Sequence, residues 1–135
     1  MTKERRESVP ELSLAERAFF EAKPAALPLY EALRERLLRE LPQTEIRVAR
    51  TQISFYGRHM FAAVSFLPAR RKKERPEPYI TLSLGLPRPL ASPRVAATAE
   101  PRPGRFTHHL LLGSAAEIDA ELTDWLREAA AWAGR

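Results

Sequence analysis

The sequence predicts an α+β domain: an antiparallel sheet of about five strands with N-terminal and C-terminal helices packed on one face. Three observations carry this. Apolar residues recur at helical spacing near both ends of the chain, alternate with period two through the middle, and are punctuated there by prolines, glycines and charge runs. A length of 135 residues suffices for one core, so 13–135 reads as a single domain behind a flexible N-terminus, 1–12.

Ser13-Leu14-Ala15-Glu16 has the form of a capping box and opens a short helix to about Ala22. Lys23-Pro24 interrupts it, because the residue before proline is pushed out of the α region. A second helix covers about 25–41, with Tyr30, Leu33, Leu37 and Leu41 as its buried stripe. Glu31, Arg34, Glu35, Arg36, Arg39 and Glu40 read as its solvated surroundings. Glu45–Tyr56 is strand-like, yet Ile46 and Val48 share one parity whereas Ile53 and Phe55 share the other. A bulge or bend near Ala49–Thr51 would reconcile the two halves. Gly57-Arg58 then turns the chain into His59–Leu67, a central strand with apolar residues on both parities.

Pro68–Pro78 is rich in prolines and like charges and reads as an exposed loop. Tyr79–Leu86 alternates again, with Ile80, Leu82 and Leu84 inward. Pro87–Pro93 is a proline-broken connection. Arg94–Glu100 reads either as a strand pairing with Arg105–Leu112 or as a helical turn begun by Ser92-Pro93, and both readings stay open. Pro101–Gly104 feeds Arg105–Leu112, a strand with Phe106, His108, Leu110 and Leu112 on one side and Arg105, Thr107, His109 and Leu111 on the other. Ser114-Ala115-Ala116-Glu117 is a second capping box, opening a helix to about Trp132 on the stripe Ile118, Leu122, Trp125, Ala129 and Trp132.

If both long helices cover the same side of the sheet, the other side carries Arg50, Gln52, Ser54, Thr81, Ser83, Arg105, Thr107 and His109. Guanidinium groups beside neutral donors suit an oxyanion, although a wet face of an antiparallel sheet has a similar composition. The formal net charge of +5 agrees with an anionic partner, and equally with an Arg-rich, Lys-poor composition that has no function behind it. Arg70, Arg71, Lys72, Lys73 and Arg75 form a basic arm able to grip phosphates without reading bases, so nucleic acid is one such partner. The bland alternative is a loop that keeps the protein soluble.

His108 and His109 are neighbours on a strand and face opposite ways, so they do not share a metal. His108 reads as a hydrogen-bonded core residue and His109 as the functional candidate. No cysteine is present, and no phosphate-cradling glycine loop, G-x-S-x-G or H-E-x-x-H motif occurs. No cofactor or metal is therefore expected. A small-molecule enzyme would need His109 as acid or base beside Ser54 or Glu100, and a ligand-free protein-interaction module is the other alternative. The N-terminal stretch lacks a secretory pattern and no apolar run could span a bilayer, so a cytoplasmic protein without membrane partners is expected.

Three stretches read together resemble a known family: Arg50-Thr51-Gln52-Ile53-Ser54-Phe55, Phe61-Ala62-Ala63-Val64 and Pro103-Gly104-Arg105-Phe106-Thr107-His108-His109. They are similar to the bacterial domain-of-unknown-function family 5655, and Ser92-Pro93-Arg94 and Trp125-Leu126 match its later motifs. The resemblance covers roughly Phe19–Ala131. The aromatic residue usual after the final Glu-Ala is replaced by Ala130. The resemblance implies no activity. More distantly, the element order is similar to the frataxin-like group and its double-wing relatives. The iron-binding acidic ridge implied by the first fits this basic chain poorly. The DNA binding implied by the second agrees better with its loop charges.

Overall fold

The structure, a computed structural model, describes residues 9–134. Among the described residues three α-helices, α1 (Leu14–Phe19), α2 (Leu27–Glu40) and α3 (Ala120–Ala133), flank six strands. The strands are β1 (Glu45–Val48), β2 (Ile53–Tyr56), β3 (Met60–Ser65), β4 (Ile80–Leu86), β5 (Ala97–Arg102) and β6 (Arg105–Leu112). They form one antiparallel sheet in the order β1-β2-β3-β4-β6-β5. The class is as the sequence predicts, with one strand more.

The extra strand comes from the phase change in Glu45–Tyr56. Residues 49–52 do not bulge; they reverse the chain. The Ala49 N–H donates to the Gln52 carbonyl at 2.8 Å, and β1 folds back on β2 with Glu45 opposite Tyr56. A change of parity looks the same in sequence whether the chain bends or turns round. The register irregularity lies one hairpin later, where Phe55 pairs with Ala62 but Tyr56 pairs with Met60. The open choice at 94–100 resolves to strand: β5 pairs with β6 across a turn in which Gly104 takes φ +79°.

Register is fixed by what the helices cover. Ile80, Leu82, Leu84 and Leu86 of β4 and His108, Leu110 and Leu112 of β6 point to the helix side, against a core including Leu33 and Leu37 of α2 and Leu122 and Leu126 of α3. Each fully buried Leu or Ile contributes about 1.5–3 kcal/mol. A one-residue slip of β4 would exchange that whole set for Thr81, Ser83 and Gly85. Apolar burial therefore dictates which hydroxyls and which histidine lie on the far side.

Both helical ends differ from expectation. α1 stops at Phe19, and a 3₁₀ turn at Pro24–Ala26 precedes α2, which has Pro28 in its first turn. The Ser114–Glu117 capping box forms, but it closes only a 3₁₀ turn, Ala115–Glu117. Asp119 caps afresh, accepting from the Leu122 N–H, and α3 starts there. Arg34 is not solvated: it is buried with Glu16. The expected loose terminus falls, for residues 1–8, outside the described residues. Val9 and Leu12 pack on the core, and the carbonyls of Pro10 and Glu11 accept from Arg34.

The connection from β3 to β4 is a fastened strap. Tyr79 Oη donates to the Phe66 carbonyl at 3.0 Å and Thr81 Oγ1 to the Leu67 carbonyl at 2.6 Å. Farther out, Arg70 donates to the Pro93 carbonyl at 3.0 Å. Pro76 lies so close over Gly113 that a Cβ there would fall 2.4 Å from the proline Cβ. Together these contacts draw the strap over the Thr81 and Leu111 end of the sheet's second face. Among the described residues no helix is long and apolar enough to cross a membrane.

Candidate functional site

On the side of the sheet away from α2 and α3, cross-strand pairing sets Ser83 of β4 directly beside His109 of β6 and opposite Ala63 of β3. Ser83 Oγ and His109 Nδ1 are 2.7 Å apart. Burial pushes the His109 pKa below the usual histidine value, so the ring is neutral at pH 7. Serine and imidazole form part of a cleft of about 570 Å³ whose other walls are Phe19, Ala22, Lys23, Arg50, Thr51, Gln52, Ser65, Phe66 and Leu67.

Each wall has a local cause. α1 ends at Phe19 and Pro24 opens the 3₁₀ turn that follows, which sets Lys23, its N-cap, at the corner between α1 and α2. The reversal between β1 and β2 presents Arg50, Thr51 and Gln52. Phe66 follows β3 directly; it stacks on Phe19 with ring centroids 5.4 Å apart and meets Phe20 edge-on at 5.5 Å. The Lys23 ammonium stands 5.5 Å from the Phe66 ring centroid, a cation–π distance.

The eight side chains expected on this face do not converge as one site. Four line the cleft: Arg50, Gln52, Ser83 and His109. Ser54 adjoins it through Gln52, whose amide nitrogen donates to its hydroxyl at 2.8 Å. Thr81 is fully buried, with its hydroxyl committed to Leu67. Thr107 lies opposite Gly85 and Ala99, farther along β6. Arg105 stands 5.4 Å from the Trp132 ring centroid, and both side chains lie beside Gly85. Four residues of separation on a strand amount to about 13 Å between Arg105 and His109.

The basic arm divides as well. Arg70 holds Pro93 and Arg71 pairs with Glu74 at 3.0 Å. Lys72 and Arg75 line a second hollow beside the cleft, and Lys73 lines neither. The cleft residues that sequence reasoning misses are Phe19, Ala22, Lys23, Thr51, Ser65, Phe66 and Leu67. In sequence Lys23 reads only as a helix boundary. A lysine beside a helix-breaking proline is the one available signal.

Charge is distributed unevenly. Arg36, Arg39, Arg47, Arg88 and Arg127 all pair with carboxylates. Lys23 and Arg50 make no ion pair among the described residues, and no carboxylate lines the cleft. The arrangement suits a ligand with an anionic group and a partly apolar body. The Glu100 carboxylate accepts the Gly104 N–H at 3.0 Å and Ser54 is held by Gln52, so neither of the expected partners serves His109. Ser83 lies within a strand paired on both sides, which commits the neighbouring backbone donors to the sheet.

His108 faces the core and is fully buried. Its Nε2 accepts the Leu90 N–H at 3.0 Å, which puts the proton of the neutral ring on Nδ1. Arg94 clamps the start of α3 by donating to both Asp119 and Glu121 and to the Glu117 carbonyl, and it lies 5.7 Å from the Trp125 ring centroid. Three of the motif stretches thereby acquire structural roles: Ser92-Pro93-Arg94 and Trp125-Leu126 build the α3 junction, and the paired histidines divide core from cleft.

No curated protein and no solved structure matches the chain. The family model described as Domain of unknown function (DUF5655) matches residues 16–130, from the buried Glu16 to the last turns of α3. By that match, which takes in every strand of the sheet and every wall of the cleft, the chain belongs to the DUF5655 family.

Proposed function

We propose that this domain binds an anionic partner in the cleft between Lys23, Arg50, Ser83 and His109. The supporting observation is that two cations, Lys23 and Arg50, line walls that carry no carboxylate, whereas Arg36, Arg39 and Arg127 are each matched by an acid. An anion entering there gains charge-assisted hydrogen bonds, and neutral Gln52, Ser83 and His109 complete its coordination without repelling it. A cleft of about 570 Å³ lies in the range usual for small-molecule sites, roughly 300–1,000 Å³.

Nucleic acid is the second reading, favoured by Lys72 and Arg75 lying beside the cleft. It would require a salt dependence steepening by roughly 0.7 in log–log slope for each single-strand phosphate engaged. Native mass spectrometry of the protein with mixed small anions and an oligonucleotide tests both. Retention of an anion by the parent, lost in a Lys23→Glu/Arg50→Glu variant and kept in an Arg36→Glu control, is expected. Equal retention by all three proteins would remove the cleft from consideration.

A further inference from the structure

The two cavities are not independent. A second hollow of about 380 Å³ is lined by Lys72, Arg75, Glu77 and Tyr79 of the strap and its end, and by the Pro24–Ala26 turn. It shares Ala22 and Lys23 with the cleft, so Lys23 stands on the partition between them. The chemistry differs on the two sides. The cleft offers the apolar rings of Phe19 and Phe66 together with neutral hydrogen-bonding groups on Gln52, Ser83 and His109. The second hollow offers three cations, Lys23, Lys72 and Arg75, against the single carboxylate of Glu77.

We infer that the ligand is a free nucleotide-like anion: a flat ring with its own donors and acceptors lies in the cleft, and a chain of phosphates passes over Lys23 into the second hollow. This rests on the anion-binding reading of the cleft and extends it. The ring is required because a plain hydrocarbon body would strip water from Gln52, Ser83 and His109 without replacing its hydrogen bonds. Its apolar body matches the wall made by the stacked Phe19 and Phe66 rings, and its polar edge matches the amide, hydroxyl and imidazole. The chain is required because one anion held at Arg50 leaves the cations around the second hollow uncompensated. Successive phosphates place negative charge beside Lys23, Lys72 and Arg75, which line the same hollow and repel one another across it. Lys23 serves both parts of the ligand, being held over the Phe66 ring at the point where ring and chain would join.

The test is calorimetric titration of the full chain, at one fixed low salt concentration, with adenosine triphosphate, adenosine monophosphate, adenosine and inorganic triphosphate. The triphosphate nucleotide is expected to bind tighter than any of the others. In Lys72→Glu/Arg75→Glu its affinity falls by about tenfold or more while that of the monophosphate changes by less than about twofold. Lys72→Gln/Arg75→Gln, which removes charge without reversing it, shows the same order with smaller effects. The inference is overturned if the parent binds no adenosine triphosphate, if inorganic triphosphate binds as tightly, or if both nucleotides respond equally to the strap variants. Binding of a twelve-residue oligothymidylate about a hundredfold tighter than the nucleotide would also overturn it, in favour of a nucleic-acid strand. If Lys23→Glu/Arg50→Glu abolishes anion binding while the strap variants leave it intact, the cleft stands and only the second hollow is lost.

Discussion

Arg34 Nε lies 2.8 Å from Glu16 Oε2, joining α2 to α1 with both side chains almost wholly out of solvent. The same carboxylate accepts from the Ser13 N–H and from Tyr30 Oη, and Arg34 spends its other nitrogens on the Pro10 and Glu11 carbonyls. Burial by itself would raise the Glu16 pKa. The hydrogen bonds from Ser13, Tyr30 and Arg34, with the guanidinium charge, outweigh burial and hold it below the ordinary value of 4.5. Arg34→Met leaves an uncompensated buried carboxylate and should cost about 3–5 kcal/mol in urea unfolding. The folded carboxyl has the lower pKa, so its contribution is complete above the unfolded value and is lost as pH falls through the folded one. Parent protein should therefore lose stability in acid below about pH 4.5, and Glu16→Gln should flatten that part of the profile. An unchanged acid limb in Glu16→Gln would refute the assignment.

His108 predicts a second pH dependence at milder acidity. Burial depresses its pKa from the ordinary 6.5, and its Nε2 is occupied as an acceptor for Leu90. As pH falls below 6.5 the unfolded chain takes up the proton first, so folding stability decreases. His109, also depressed by burial, adds to the same trend. His108→Gln places an amide oxygen near the Nε2 position and cannot titrate. It should reduce the loss of stability between pH 7.5 and 5.5 without removing it, as read by denaturant midpoints at the two pH values. A profile identical to the parent's would show that His108 does not titrate in that window.

Gly113 is needed for close approach, since its φ is not positive. A Cβ would sit 2.4 Å from Pro76 Cβ and 2.7 Å from Pro76 Cγ. Gly113→Ala must push the strap outward and should cost about 1–3 kcal/mol. Hydrogen exchange should quicken at Ile80 and Thr81, next to the displaced strap, more than in α2. Uniform exchange throughout would mean that the strap adjusts without loosening the sheet beneath it.

Alternation makes much of the fold legible in the sequence. Opposite parity sends His108 to the core and His109 to the open face, and burial alternates so from Leu82 to Leu86 and from Thr107 to Leu110, until Thr81 and Leu111 are buried on the second face as well. Reversals are less legible. Residues 49–52 contain no glycine or proline, and the chain turns through Arg50 and Thr51 without either. Long-range polar partners are not legible at all: Arg34 sits among charged neighbours in sequence, and its carboxylate lies eighteen residues away on another helix. The site is half legible for a related reason. Parity gives the face on which a side chain emerges but not what crosses that face. The strap covers Thr81 and Trp132 engages Arg105, which removes both from the cleft while Lys23 and Phe66 enter it from outside the sheet.

Arg94 carries the junction between the 87–93 connection and α3. It donates to Asp119, which is at the same time the N-cap of the helix, and to Glu121 in its first turn. Arg94→Ala removes charge-assisted hydrogen bonds from a partly buried guanidinium and its contact with Trp125, at a cost of about 1–3 kcal/mol. Lys cannot span the two carboxylates and the Glu117 carbonyl with one planar group, so Arg94→Lys should recover only part of the loss. Tryptophan fluorescence should report an altered Trp125 environment in both variants. Full recovery by lysine would reduce Arg94 to a simple positive charge.

The strap cations are not interchangeable, and this separates a binding surface from a mere excess of charge. Arg70 is committed to the Pro93 carbonyl and Arg71 to Glu74, whereas Lys72 and Arg75 face the second hollow. If anions responded only to the net charge of +5, any two arginine-to-glutamate changes would weaken binding alike. With binding localised, Arg70→Glu/Arg71→Glu should leave anion affinity within about twofold at about 0.15 M salt, where screening beyond about 8 Å suppresses distant charges. Lowering the salt should bring the two pairs of variants closer together, because long-range attraction then reaches the hollow from anywhere on the strap. Equal weakening by both pairs at high salt would reduce the strap to a diffuse positive field.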